Sequence, residues 1–174
     1  MMINIILYQP EINGNTANII RTTFATNSKL HIIKPTGFDL HPHWLKRNGA
    51  GHLLSEVPHE IHTNYDAFFK KYKDKNIFYI TRYGLKNYTK VNFQKENKKS
   101  GEIWVMFGAE STGIPKTIMQ KKIKNCLRIP MNGSCRSLNL ANSVSIVIFE
   151  ILRQLKFEGL SEFEVQKGKD FILK

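Results

Sequence analysis

The chain has 174 residues, 41% of them hydrophobic, and carries 26 Lys and Arg against 14 Asp and Glu, a net charge of +12. That length fits one domain and buries roughly 70% of its unfolded surface, which excludes whole-chain disorder. Two cysteines exclude a disulfide scaffold, no apolar run approaches the ~18 residues of a membrane span, and Met1-Met2-Ile3-Asn4 lacks the basic start of a signal peptide. A soluble, basic, cytoplasmic domain is expected.

Taken in chain order, Ile3 to Tyr8 is an apolar run of strand length, followed by a loop through Pro10 and Gly14. Asn15 opens a helical stretch in which Ile20 and Phe24 share a face. Leu30 to Ile33 reads as a second strand stopped by Pro35 and Gly37, residues 43 to 48 as a short helix, and Leu53 to Val57 as a possible third strand. Asn64 is placed to cap a helix carrying Ala67, Phe68, Phe69 and Tyr72. Ile77 to Thr81 and Ile103 to Phe107 are buried-strand candidates, rich in β-branched and aromatic residues. Pro115 fits the first turn of a helix reaching about Lys124, and Cys126 to Ile129 is another strand. The last helix is the best defined, because Leu140, Val144, Val147, Ile148, Ile151, Leu152 and Leu155 recur at helical spacing. Ile146 and Phe149 widen its apolar surface around most of the circumference, so it lies in the core or against a second subunit. Strands alternating with helices predict an α/β domain around a mostly parallel sheet, over residues 1–157. The tail, residues 158–174, alternates charge with Phe163, Val165, Phe171 and Ile172, and either docks weakly or stays loose.

Of the 26 basic residues 20 are Lys and 6 are Arg, beside 15 Asn, a bias that an AT-rich genome also produces. Their placement says more. No acidic residue falls between Glu110 and Glu150, and Lys70 to Lys99 holds ten basic residues against Asp74 and Glu96. Two acid-poor stretches on one small domain suit a polyanion partner, with a solvated lysine-rich surface as the plain alternative.

Several enzyme signatures fail. Gly49-Ala50-Gly51 has Leu54 where a dinucleotide fingerprint needs its third glycine. Gly108 to Gly113 has the glycine spacing of a P-loop, but Ile114 and Pro115 replace the phosphate-binding Lys and the Ser/Thr. His41, His43, His52, His59 and His62 cluster without making a zinc-binding pattern, so no metal is expected. Three polar clusters remain: Asn15 to Arg21, Phe107 to Gly113, and Arg128 to Met131 with Ser134 to Asn142. Arg21 lies six residues beyond Asn15, near the opposite face of its helix. Ser137 or Asn139 suffices to cap the last helix, which leaves Arg136 and Asn142 beside them without a structural reason. Loops leaving the carboxyl ends of parallel strands bind ligands, so the last two clusters predict one shared pocket.

The three clusters, in this order and spacing, resemble the motifs of the SPOUT class of RNA methyltransferases. The similarity is greatest to the small single-domain members that 2′-O-methylate the wobble nucleotide of tRNA. It is carried by "YQPEINGNTANIIR", "LHIIKPTGF", "LKR", "FGAESTGIP", "RIPM" and "SLNLANSVSIVIFEILRQL", over about residues 3 to 157. The resemblance implies an α/β fold with a deep trefoil knot near the carboxyl end, although chains rarely thread loops. It also implies a homodimer in which each site is completed by the partner. S-adenosyl-L-methionine is the implied cofactor, held by Ile80, Thr81, Gly108, Glu110, Ile129, Met131, Ser137 and Leu138. Gly108 suits a ligand approaching the backbone closely. The implied chemistry is attack by a ribose 2′-oxygen on the sulfonium methyl, with Arg21 matching the family's catalytic arginine. Because guanidinium keeps its proton, Arg21 is expected to stabilise the developing alkoxide or clamp a phosphate. Asn15, Glu110, Ser137 and Asn139 match positions that orient Arg21, the ribose or the cofactor; Lys46, Arg47 and Arg136 are candidates for the RNA backbone, and the implied partner is the anticodon region of tRNA. Lys and Tyr interleaved from Arg82 to Lys99 form either a stacking surface or a plain exposed loop. Departures from the pattern are Ala17, Ala109, Ser111, the stretch Asn48 to His52, and Phe149 where tyrosine is common. The rival readings are methylation of another tRNA or rRNA ribose, and a non-catalytic knotted RNA-binding protein.

Overall fold

The computed structural model describes residues 1–40 and 54–174. Seven strands form one sheet: β1 (Met2–Tyr8), β2 (Lys29–Ile33), β3 (His59–His62), β4 (Ile77–Ile80), β5 (Lys86–Asn87), β6 (Glu102–Phe107) and β7 (Cys126–Arg128). Their order is β3-β2-β1-β6-β4-β7-β5, and every neighbouring pair is parallel. Among the described residues five helices accompany them: α1 (Asn13–Ala25), α2 (Tyr65–Tyr72), α3 (Phe93–Ser100), α4 (Lys116–Gln120) and α5 (Leu140–Gln154). The expected α/β architecture is therefore present.

A parallel sheet covered on both faces needs strands that are apolar on both sides. In β1, Ile3, Ile5 and Leu7 enter one core while Ile6 enters the other; in β6, Ile103, Val105 and Phe107 oppose Trp104 and Met106. The larger core holds Ile19 and Ile20 of α1, Phe93 of α3 and the buried face of α5. Val144, Val147, Ile148, Ile151 and Leu152 of α5 are fully buried, each worth roughly 1.5–3 kcal/mol relative to exposure. Ile146 and Phe149 are 37% and 49% exposed, so α5 buries one broad face rather than its whole circumference.

Several elements differ from the sequence expectation. The expected strand at Leu53 to Val57 is instead a single 3-10 turn, Leu54–Glu56, and the third strand is His59–His62. β3 pairs with β2, at the sheet's edge, where a polar segment is tolerated and the apolar signal is weak. The helix expected at 43 to 48 lies outside the described residues. α1 begins at Asn13 with Ile12 at the cap, so Asn15 does not cap it, and Phe24 is 47% exposed where Ile20 is buried. α4 stops at Gln120. The Asn125 amide then donates to Asn76 Oδ1 and to the Ile77 carbonyl, at 2.7 and 2.9 Å, pulling the chain into β7. The stretch from Arg82 to Lys99 is no plain loop: it contains β5 and α3, the latter capped by Asn92, which accepts from Lys95 N at 2.8 Å. Asn64 does cap α2, accepting from Ala67 N at 2.8 Å.

The smaller core encloses buried polar groups. His31 and His62, on β2 and β3, are nearly coplanar, with Nδ1 of the first 3.1 Å from Nε2 of the second. Burial pushes the His31 pKa down to about 3, helped by Lys29, and burial lowers that of His62 as well. Below the unfolded histidine value of ~6.5, the unfolded chain binds protons that the folded one excludes, so stability falls with pH. Thermal melts are expected to drop from pH 6.5 downward, with His31 alone costing up to about 1.4 kcal/mol per pH unit. His31→Gln is expected to lower the melting temperature at pH 8 and to flatten this slope.

Candidate active site

A cavity of about 380 Å³ opens at the carboxyl ends of β4, β6 and β7, within the usual size of small-molecule sites. Its apolar wall includes Ile80, Ile129, Met131 and Leu138, and its polar side Thr81, Glu110 and Ser137, with Gly108 at the exit of β6. All eight residues expected around a cofactor thus meet in one cavity, and Asn15, Asn139 and Arg136 line it too.

The loop after β6 is folded tightly on itself. Gly113, at φ 72°, donates its amide to the Ala109 carbonyl at 2.8 Å. A Cβ on Gly108 would fall 2.2 Å from the Gly113 carbonyl carbon and 2.4 Å from Ile114 N. Gly108 is therefore required by its own loop, which is a different reason from the ligand approach expected of it. Gly84 is a second such position, its missing Cβ lying 2.4 Å from the Leu127 carbonyl carbon.

Polar side chains lock three loops together. Glu110 accepts from Glu11 N (2.8 Å), Ile12 N (3.2 Å) and Asn15 Nδ2 (2.8 Å). Asn15 Oδ1 accepts from Asn139 Nδ2 at 2.8 Å, and Asn139 Oδ1 caps α5 through Asn142 N at 3.2 Å. Of the two expected caps, Asn139 is the one used. Asn15, Glu110 and Asn139 are thereby tied across 124 residues of sequence.

The remaining expected residues separate. Arg21 is exposed on α1 and does not line the cavity of its own chain. Lys46 and Arg47 lie outside the described residues. Arg136 is exposed at the rim, where its carbonyl accepts from Arg82 Nη1 at 3.3 Å, while the Arg128 guanidinium donates to the Arg82 carbonyl. The Arg82 guanidinium sits 5.0 Å from the Tyr83 ring centre, and both residues line the cavity. The Arg–Tyr pair was foreshadowed only by the basic and aromatic interleaving. The Cys126 thiol is buried, which raises its pKa, and it donates to the Met119 and Lys122 carbonyls. Cys135 is exposed, with Sγ 3.5 Å from the Ser137 carbonyl.

His41, His43 and His52 lie outside the described residues, His59 Nδ1 faces the Val57 carbonyl at 3.0 Å, and His62 meets His31 instead. Glu60 lies close enough to make a trio of possible ligands. Burial alone would raise its pKa, but hydrogen bonds from Lys71 and Tyr72, at 2.5 and 2.6 Å, hold it down at about 2. The facing imidazole nitrogens are 3.1 Å apart, within hydrogen-bond distance of each other. This is hydrogen-bond geometry.

A wholly parallel sheet with polar loops converging on one cavity at its carboxyl edge defines an α/β enzyme architecture. The chain belongs to the SpoU rRNA Methylase family, whose pattern matches residues 2–149. A relative from Escherichia coli K12 is 38% identical over 160 residues, covering 91% of this chain and 97% of that one; it is named tRNA (cytidine(34)-2′-O)-methyltransferase. A solved structure described as giving insight into the 2-OH methylation of C/U34 on tRNA is 33% identical, with a TM-score of 0.79 over 90% of this chain and 98% of that one. An AdoMet-bound rRNA methyltransferase from Sinorhizobium meliloti, 23% identical, shares the fold at a TM-score of 0.74 over 88% of this chain and 57% of that one.

Proposed function

We propose that this protein transfers a methyl group from S-adenosyl-L-methionine to the 2′-oxygen of the wobble nucleotide of tRNA, cytidine or a modified uridine at position 34. The observation that carries the reading is the Glu110–Asn15–Asn139 network closing one side of a small-molecule cavity in a chain so similar to a C34 methyltransferase. The cavity fits the cofactor chemically: Ile80, Ile129, Met131 and Leu138 offer an apolar bed for adenine, and the Gly108–Gly113 loop offers backbone polar groups. Bound there, S-adenosyl-L-methionine supplies an electrophilic sulfonium methyl. Ser137 and Asn139 orient the ribose, and Glu110 and Asn15 hold α1 against the loop. Arg21 lends its guanidinium charge to the alkoxide that develops as the 2′-proton leaves.

Arg21 does not line the cavity of its own chain, so the reading includes a homodimer in which each site receives the partner's arginine. The exposed apolar side chains Ile12, Ile146 and Phe149 support such an interface. The reading also includes a trefoil knot, supported by β7 pairing between β4 and β5, which precede it in the chain. Residues 1–157 form the catalytic domain and residues 158–174 a tail, supported by the exposure of Phe163, Val165, Phe171 and Ile172. No metal takes part. Among the described residues no helix is long and apolar enough to cross a membrane, in keeping with a cytoplasmic enzyme. The +12 charge steers the anticodon region to the surface, with Arg136, Lys46 and Arg47 contacting phosphates.

The test is a map of 2′-O-methylation in tRNA from cells lacking the gene. Loss confined to nucleotide 34 and restored by the gene is expected. Loss at another ribose, or none, would overturn the assignment.

A further inference from the structure

The loop between β1 and α1 carries a second carboxylate, Glu11, which does not line the cavity. Both of its oxygens serve one residue of the β6 loop: Oε2 accepts from Ser111 N at 2.8 Å and Oε1 from Ser111 Oγ at 2.6 Å. In return, Glu110 accepts from the Glu11 amide at 2.8 Å. Each loop therefore grips the backbone of the other with a carboxylate, across about a hundred residues of sequence. Charge-assisted bonds of this kind are stronger than neutral ones and fix direction as well as distance.

A third loop backs the clasp. Gly37, after β2, donates its amide to the Pro10 carbonyl at 2.9 Å. A Cβ at Gly37 would lie 2.5 Å from the Glu11 carbonyl oxygen and 2.8 Å from the Glu11 Cα. The Gly37 backbone thus lies directly against the Glu11 backbone, and only glycine permits it.

We propose that Glu11 is a positioning residue for methyl transfer: through Ser111 it fixes the Gly108–Gly113 loop against α1, and Gly37 holds Glu11 in place. With the clasp intact, Glu110 keeps Asn15 within reach of Asn139, and the cofactor pocket has one shape. Without it the loop keeps its internal turn but loses its register to α1. The proposal rests on the reading of this cavity as a cofactor site, and its test begins with cofactor binding alone.

Calorimetric titration of the full-length protein with S-adenosyl-L-methionine is expected to show roughly tenfold weaker binding for Glu11→Ala, the loss of two hydrogen bonds at a charged acceptor. Glu11→Gln, which keeps one acceptor oxygen, is expected to recover part of the affinity. Ser111→Ala is expected to weaken binding less, and the Glu11→Ala/Ser111→Ala double variant no more than Glu11→Ala, since the two act as a unit. Gly37→Ala is expected to weaken binding with both side chains intact. In turnover assays with tRNA, Glu11→Ala is expected to raise KM for the cofactor and lower kcat while leaving KM for tRNA unchanged, a split that general destabilisation does not produce. Affinity unchanged in both Glu11→Ala and Gly37→Ala would overturn the proposal, as would additive loss in the double variant. If the wild-type protein binds the cofactor and Glu11→Ala weakens it, but nucleotide 34 is not methylated, the clasp stands and only the substrate assignment falls. A wild-type protein that binds no S-adenosyl-L-methionine sinks both.

Discussion

Arg21→Ala is expected to lower methyl transfer by roughly 10²–10³-fold, the usual cost of removing one preorganised donor from a developing oxyanion, while S-adenosyl-L-methionine binds as in the wild type. The two effects separate because Arg21 is exposed on α1 and lies outside the cavity of its own chain. Its removal leaves the Glu110–Asn15–Asn139 network untouched. Arg21→Lys keeps a cation but not the planar fork, so only part of the rate returns. A mixed dimer tests where the arginine acts. One protomer carries Arg21→Ala and the other Glu110→Ala. If the arginine serves the partner's cavity, each mixed dimer regains one complete site, and mixing two inactive proteins restores turnover. If it serves its own cavity, no site is complete and the mixture stays inactive. A pH–rate profile that keeps its shape in Arg21→Lys supports a charge-stabilising role, because guanidinium does not titrate in the working range.

How much of this molecule could be read from its sequence depended on whether the signal was local. Helix α5 announced itself because its buried residues recur at helical spacing. Asn64 was legible because a cap acts within three residues. Helix α3 was equally bracketed, by Asn92 and by Gly101 at φ 70°, but only Phe93 of its eight residues is buried, so there was no periodicity to find. Strand β3 escaped for the same reason: at the sheet edge it brackets Glu60 and Ile61 between two histidines, and only His62 is buried. The site divides along this line. Glu110, Asn15 and Asn139 stood out as polar residues at the ends of apolar elements. Glu11 did not, since a glutamate after Pro10 reads as an ordinary loop charge until Ser111 arrives opposite it. The pairing of His31 with His62 was invisible likewise, being made by strand register across 31 residues. The net charge was plain at once, yet it locates no chemistry; Arg82 and Arg136 come together at the cavity only once the chain is folded.

Gly108→Ala is expected to abolish S-adenosyl-L-methionine binding, by about a hundredfold or more, and to cost roughly 1–3 kcal/mol of stability, the range for forcing an extra methyl group into a packed site. The added Cβ meets the Gly113 carbonyl carbon at 2.2 Å and Ile114 N at 2.4 Å. Both are backbone atoms, so no rotamer relieves the clash and the loop must open. Opening breaks the Gly113-to-Ala109 hydrogen bond and displaces Glu110, which releases the Glu11 and Ile12 amides together with Asn15. One methyl group therefore propagates to the loop before α1 and, through Asn15, to Asn139. Two other glycines isolate the cause. Gly113→Ala meets nothing within 4 Å but sits at φ 72°, so it pays only backbone strain, about 1–2 kcal/mol. Gly14→Ala in α1 has open space and an ordinary φ; it is expected to stabilise by about 0.5–1 kcal/mol, from helix propensity and reduced unfolded-state freedom. Melting curves and cofactor titrations of the three variants give a graded series if steric closure of the loop is what Gly108 provides. Gly108→Ala that bound the cofactor as tightly as Gly14→Ala would show that the cavity tolerates an open loop, and the role given to loop closure would be wrong.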